Sequence, residues 1–126
     1  MLALAEHRDQ WDRLREDPEL VWTAGADEIL RWSSPVLHFR RTATRDVELR
    51  GQTIRAGEKV VVWYVSANFD EEVFEDPLRF DVGRRPNAHV TFGGGGPHYC
   101  LGAHLAKLEV QVMRAASDLE VDPMSW

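Results

Sequence analysis

The first third of the chain alternates apolar and polar residues with the period of an α-helix. Three large apolar side chains lie on one face of a first helix: Leu4, Trp11 and Leu14. Asp17-Pro18 ends that segment, because proline lacks the amide hydrogen that a helix interior requires. A second helix carries three more apolar residues: Ile29, Leu30 and Trp32. We expect Thr23 to cap this helix and Ser33-Ser34-Pro35 to end it.

From Leu37 to Val65 the period changes to that of β-strands. Val47–Leu49 and Thr53–Ile54, separated by a turn that contains Gly51, predict a short hairpin. A buried strand is predicted at Lys59–Val65, because its residues from Val60 onward form a continuous apolar run that follows a turn. Residues 66–91 show no sustained period. A structureless connection of this length is either a functional meander or a mistaken assignment of the elements.

A last helix is expected at Leu101–Val112, with four apolar residues on one face: Leu101, Leu105, Leu108 and Val112. The predicted fold class is therefore mainly α with a small β-sheet (α+β). The chain has 126 residues, which suits one domain spanning residues 1–126 and one modest core.

Composition and charge exclude several classes of protein. The net charge is -6 and no block of Lys or Arg stands out, which argues against a nucleic-acid partner. The longest apolar run, Val60–Val65, is far too short to span a bilayer. A single cysteine excludes an internal disulfide framework. These features predict a reduced, cytoplasmic protein.

The strongest local signal is a glycine run that leads to the single cysteine, Cys100. Four consecutive glycines lose much chain entropy on ordering, so an ordered loop here is best explained by close approach of the backbone to a flat ligand. We place Cys100 in the first turn of the last helix, where free amide groups and the helix dipole favour a thiolate. His98, two residues earlier, could reach an anionic group at the edge of the ligand.

Three other interpretations of this segment compete. A phosphate loop requires Lys-Ser or Lys-Thr after the glycines, where this chain has His98 and Tyr99. A zinc site could combine Cys100 with His104 and His98, but no second cysteine completes the set. An inert, buried Cys100 is the commonest state of a lone cysteine, yet it leaves the glycines unexplained.

Two motifs resemble those of the cytochrome P450 family. Phe92, Gly95, Cys100 and Gly102 match its haem-loop signature, with one extra residue among Gly93 to Pro97. Glu28-Ile-Leu-Arg31 matches its upstream Glu-x-x-Arg motif. The resemblance runs from about Leu2 to Val112, with the motifs in the family's order.

This resemblance implies a haem b cofactor, with Cys100 as the thiolate ligand to the iron. It implies that further residues bind the cofactor: His98, Arg41, Phe92, Gly93, Gly95 and Gly102. Arg41 is expected at a haem propionate, with Arg40 as the weaker choice. A structural triad would join Glu28 and Arg31 to Arg84, with Arg85 as its near rival. Val36 and Leu37 would line the substrate pocket.

The resemblance also implies a function, namely hydroxylation of a lipophilic small molecule with O2. The electrons would come from a ferredoxin and its reductase, docking on a face with four positive residues: Arg84, Arg85, His104 and Lys107. Family members are roughly three times longer, so we expect this chain to be a fragment whose N-terminal half is missing. The alternative is a non-catalytic haem- or metal-binding remnant.

Overall fold

The computed structural model describes residues 2–117. The predicted domain limits at residues 1 and 126 therefore lie outside the described residues. Along the chain, the helices are α1 (Leu2–Glu6), α2 (Arg8–Glu16), a π-helical turn (Val21–Gly25), α3 (Ala26–Ser33), α4 (Tyr64–Asn68) and α5 (Ala103–Ala116). The strands are β1 (His38–Thr42), β2 (Val47–Leu49), β3 (Gln52–Ile54) and β4 (Lys59–Trp63). This content confirms the predicted α+β class.

The N-terminal helical segment is divided in two at His7. His7 directly follows the end of α1, and its ring Nδ1 lies 2.8 Å from the carbonyl oxygen of Ala3 within that helix. The next helix, α2, begins at Arg8. The predicted end at Asp17-Pro18 is confirmed, since Asp17 is the C-terminal cap of α2. The sequence pattern identified the helical face but not this interruption.

The predicted N-terminal cap at Thr23 is wrong. Thr23 lies inside the π-helical turn, and its hydroxyl donates to the carbonyl oxygens of Glu19 and Leu20. Helical backbone therefore begins before Thr23, and no free amide remains there to be capped. The predicted end is confirmed: α3 stops at Ser33, and Ser34 adopts a left-handed conformation with φ of 38°.

Two antiparallel pairs form the β-structure of the described residues. β2 and β3 make the predicted hairpin, whose turn residues Arg50 and Gly51 both have positive φ, as in a type I′ turn. β1 pairs with β4 from His38–Trp63 to Thr42–Lys59. The prediction of a buried strand at Lys59–Val65 is wrong on two counts. β4 ends at Trp63 and four of its five residues are exposed, because the described chain covers little of this two-stranded sheet.

After α4 the chain follows turns from Phe69 to Gly102, which we call the meander, in keeping with the predicted long non-repetitive segment. α5 begins at Ala103, capped by Gly102, and not at Leu101 as predicted. Cys100 therefore precedes the helix instead of occupying its first turn. The apolar residues of the predicted face that lie on α5 are exposed: Leu105, Leu108 and Val112.

The core joins the N-terminal helices to the meander. Its buried apolar residues come from both: Leu4, Leu14, Val21, Ile29, Phe80 and Val82. Gly25 lies against this core, and a Cβ added there would stand 3.1 Å from Cδ2 of Leu14. Glycine therefore lets α2 approach the π-helical turn closely, which compensates for its low helix propensity. Among residues 2–117, no helix combines the length and apolar character needed to cross a membrane.

We predict that Leu14→Ala lowers the free energy of unfolding by about 2–5 kcal/mol, because it leaves a cavity between α2 and the π-helical turn. Leu14 is 1% exposed, whereas Leu78 is 79% exposed. Leu78→Ala is therefore the matched control, expected to change the same quantity by less than about 0.5 kcal/mol. Urea denaturation of both variants measures the difference. Equal effects would contradict this assignment of the core.

Candidate functional site

Glu28 is a fully buried carboxylate at the centre of a hydrogen-bond network. Its Oε1 accepts from Arg31 Nη2 at 2.9 Å, from the amide of Asp81 at 3.0 Å and from Arg84 Nε at 3.3 Å. Its Oε2 accepts from Arg31 Nε at 2.8 Å and from Asn87 Nδ2 at 3.0 Å. One carboxylate of α3 thereby fixes three separate points of the meander.

Arg31, also fully buried, has a hydrogen-bond acceptor at each nitrogen of its guanidinium. Besides the two bonds to Glu28, Nη1 donates to the carbonyl oxygens of Asn68 at 2.7 Å and Pro77 at 3.0 Å. Nη2 also donates to the carbonyl oxygen of Arg79 at 3.3 Å. The guanidinium lies over three aromatic rings: Trp32, Phe69 and Phe74. Such a charge is tolerated in the interior because every polar contact is satisfied.

The meander arginine that contacts Glu28 is Arg84. Its side chain is 10% exposed, and its terminal nitrogens donate to three backbone carbonyl oxygens: those of Glu75, Asp76 and Arg79. Arg85, the rival for this position, is exposed. Both arginines line a surface cleft of about 470 Å³. The structure thus brings together Glu28, Arg31 and Arg84. Asn87, which sequence reasoning missed, completes the ring of donors around the carboxylate.

Cys100 is exposed and lies at the end of residues 92–100, which we call the glycine loop. Its amide donates to the carbonyl oxygen of Phe92 at 3.0 Å, and its own carbonyl oxygen accepts from Ala103 at 3.2 Å. The first bond closes the loop across its base, and the second joins it to α5. A Cβ added at Gly102 would lie 3.8 Å from Sγ of Cys100, at ordinary van der Waals distance, so Gly102 lies directly beside the sulfur.

A second ionic cluster connects α3 to α5. Oδ1 of Asp27 lies 3.1 Å from Nε2 of His89 and 2.6 Å from Nζ of Lys107. The amide of Thr91 faces the other nitrogen of the imidazole, Nδ1, at 3.3 Å. The hydrogen bond from His89, and then the ammonium of Lys107, lower the pKa of Asp27 against the opposing effect of its burial. This cluster was missed because its members are distant in the sequence.

The family model of cytochrome P450 matches residues 5–116. This chain belongs to the cytochrome P450 family. A steroid C26-monooxygenase of Mycobacterium tuberculosis is 53% identical to it over 114 residues, which make up 90% of this chain and 25% of that protein. A methyl-branched lipid omega-hydroxylase of the same organism is 51% identical over 112 residues, 89% of this chain and 26% of that protein.

Solved P450 structures share the fold of the described chain. The cytochrome P450 CYP268A2 of Mycobacterium marinum, in complex with pseudoionone, superposes with a TM-score of 0.84 at 48% identity. The match covers 93% of this chain and 29% of that one. CYP109E1 of Bacillus megaterium, in complex with testosterone, gives a TM-score of 0.85 at 44% identity, over 90% and 31% of the two chains. The chain therefore spans about a quarter to a third of the length of these relatives.

The loop around Cys100 fits the haem that the P450 family implies. A Cβ added at Gly94, Gly95 or Gly96 would meet no atom of the described chain within 4 Å. Gly95 and Gly96 also have φ of 93° and 78°, which other residues rarely adopt. The glycines thus leave open space next to an exposed cysteine, as a planar macrocycle with a thiolate ligand requires.

Two of the other interpretations of the loop find no support in this geometry. Cys100 is exposed and not buried, unlike an inert core cysteine. Within residues 2–117, no group of three His, Cys, Asp or Glu side chains is arranged to hold a metal ion, so Cys100, His98 and His104 do not form a zinc site.

Most of the remaining predicted site residues are exposed in the described chain. His98 is exposed in the glycine loop, and Phe92 is partly buried against the rings of His89 and Tyr99. Arg41 stands on β1, with its guanidinium over Phe39 and one hydrogen bond to the carbonyl oxygen of Arg40. Two apolar residues before β1 are exposed: Val36 and Leu37. Their roles toward cofactor and substrate stay predictions.

Two of the four residues predicted to form a positive docking face instead form ion pairs with residues of α3. Arg84 is nearly buried and bonded to Glu28, and Lys107 pairs with Asp27. Spacing along the sequence could not reveal these partners, which come from α3. Arg85 and His104 are exposed, and they remain available for a docking role.

We predict that Arg31→Lys lowers the free energy of unfolding by about 3–5 kcal/mol, because one ammonium cannot replace a planar fork bonded to four residues. Arg50→Lys is the matched control. Arg50 is 83% exposed and makes one surface ion pair with Glu72, so its replacement should cost less than about 0.5 kcal/mol. Urea denaturation compares the two. A surface-like effect at Arg31 would contradict the buried network.

We predict that Asp27→Asn reduces the acid sensitivity of the chain. The folded state depresses the pKa of Asp27, so this carboxylate stabilises the fold above its unfolded pKa of about 3.9 and loses that contribution as pH falls through the lower, folded value. The wild type should therefore exceed the variant in stability at pH 6, and the difference should shrink below about pH 4. Chemical denaturation across this range measures it. A constant difference would contradict the ionic role.

Proposed function

We propose that this chain provides the thiolate-bearing face of a haem b monooxygenase that hydroxylates a lipophilic small molecule. The observation that carries the proposal is the position of Cys100: exposed, closed at its base by the bond to Phe92, and surrounded by glycines that leave open space. Membership of the P450 family supports the same cofactor and the same ligand.

The residues of the chain would share the work of holding the cofactor. Bound haem supplies the activation of O2, and the protein supplies ligand, orientation and electrostatics. Cys100 would bind the iron through its sulfur, and the backbone of the glycine run would lie against the ring. His98 and Arg41 would bind the propionates, since a cationic or hydrogen-bonding side chain favours an anionic group.

The proposed substrate is a steroid or a branched lipid. The names of two relatives, a steroid C26-monooxygenase and a methyl-branched lipid omega-hydroxylase, support this class. Val36 and Leu37 fit it as well, because they present apolar side chains beside β1 in the exposed position that a pocket wall requires.

The proposed electron donors are an acidic ferredoxin and its reductase. Arg85 and His104 would contribute to the docking surface, since both are exposed and both can carry positive charge. Salt should therefore slow reduction, because screening weakens attraction between charged faces. A cytoplasmic location accords with such soluble donors, and it stays a prediction.

We predict that the chain of 126 residues, loaded with haem, reduced and exposed to CO, shows the red-shifted Soret band of haem–thiolate proteins. Cys100→Ser should abolish that band, because a hydroxyl is a far poorer ligand than a thiolate. The matched control is Ser117→Ala, an exposed position at the end of α5, which should keep it. A spectrum typical of histidine ligation in the wild type would overturn the assignment to Cys100.

A further inference from the structure

The side chain of Asn68 is fully buried at the end of α4, and each of its polar atoms is bonded. Nδ2 donates to the hydroxyl oxygens of Ser34 at 2.9 Å and Thr91 at 3.1 Å. Oδ1 accepts from the amide of Val90 at 2.8 Å. An amide that uses both donors and its carbonyl oxygen in this way is held in a single orientation.

The two hydroxyls that receive the amide of Asn68 are themselves anchored to α3. The hydroxyl of Ser34 donates to the carbonyl oxygen of Arg31 at 2.8 Å, and that of Thr91 donates to the carbonyl oxygen of Leu30 at 3.1 Å. Ser34 has a left-handed backbone with φ of 38°, where glycine or asparagine would be less strained. A serine at such a position suggests that its hydroxyl is required.

These contacts continue, through Val90, to the residues at which the glycine loop begins and closes. Asn68 holds the amide of Val90, and the carbonyl oxygen of Val90 accepts from the amide of Gly93 at 2.8 Å. Within that turn lies Phe92, whose carbonyl oxygen receives the amide of Cys100 at 3.0 Å. The side-chain amide of Asn68 is therefore connected, through Val90 and the turn that contains Phe92, to the bond that closes the loop at Cys100.

We propose that Asn68, with Ser34 and Thr91, is a positioning group that sets the geometry of the Cys100 thiolate. Asn68 does not bind the cofactor; it acts through Val90 and Phe92. The haem part of this inference rests on the proposed function. The positioning itself is a property of the protein alone, so it can also be measured without haem.

The first measurement uses hydrogen exchange of the Cys100 amide in the haem-free full chain. Thr91→Val keeps the shape of the side chain but removes the hydroxyl. One donor of Asn68 then lacks its acceptor, and the carbonyl oxygen of Leu30 loses one of its donors, although it still accepts from the amide of Ser34 at 3.1 Å. Exchange should become about fivefold faster or more, the effect expected when one buried hydrogen bond is lost. Thr91→Ser keeps the hydroxyl and should restore exchange to within about twofold of wild type. The control, Thr53→Val, replaces an exposed threonine of β3.

The second measurement uses the haem-loaded, reduced, CO-treated full chain. Here the readout is the ratio of absorbance at the red-shifted haem–thiolate position to that at the ordinary position of other haem ligations. Thr91→Val should lower this ratio about fivefold or more at equal haem content, whereas Thr91→Ser and Thr53→Val should not. A group that only stabilised the fold would lower haem content without changing the ratio.

Ser34→Gly provides an independent route if Thr91→Val does not fold. Glycine accepts the left-handed backbone at this position and removes the other hydroxyl that binds Asn68. The proposal is overturned if the variants that fold leave the exchange of the Cys100 amide within about twofold of wild type. If wild type itself lacks the thiolate band, the proposed function fails, while the exchange experiment still decides the positioning role.

Discussion

A carboxylate removed from water must be surrounded by donors, and in this chain that carboxylate belongs to Glu28. Its partners come from α3 itself and from three points of the meander: Asp81, Arg84 and Asn87. A segment of more than thirty residues without helix or strand is held in place by hydrogen bonds from its backbone and side chains to two buried charges, Glu28 and Arg31. Removing one partner would leave the other charge buried and unpaired, which is far more costly than losing a surface ion pair.

From this network the order extends to the cysteine. Arg31 bonds the carbonyl oxygen of Asn68, whose side chain holds Val90 and Thr91. Asp27, one residue before Glu28, connects the same helix to His89 and, through Lys107, to α5. The loop of Cys100 is thus bounded on both sides by contacts with α3. The loop itself needs few contacts, and its exposed glycines remain open to a flat ligand.

Much of this arrangement could be predicted from the sequence. Local rules predicted the ends of α2 and α3, the hairpin with its turn at Gly51, and the proximity of Glu28 and Arg31, three residues apart on one helix. Motif spacing and order led from there to the family and to Cys100. These features depend on neighbours in the chain, which a pattern can capture.

The rest depended on tertiary contacts. Thr23 has the residue type of a cap, yet the helical path begins earlier. The apolar run of β4 suggested burial, but the described chain covers little of it. Nothing in the sequence around Asn68 or Asp27 indicates a role for them. Their partners lie far away in the sequence, on other elements of the fold. The positive charges of Arg84 and Lys107 suggested a docking face. Their acidic partners, Glu28 and Asp27, lie more than fifty residues earlier in the sequence, so these ion pairs were not predicted.

The central claim is that this scaffold presents Cys100 as a thiolate ligand to iron. X-ray absorption at the iron edge of the ferric, haem-loaded chain tests it most directly, because sulfur and nitrogen scatter differently at their distances from the metal. The account predicts one sulfur scatterer in the wild type and none in Cys100→Ser. A first shell of nitrogen and oxygen alone in the wild type would contradict it.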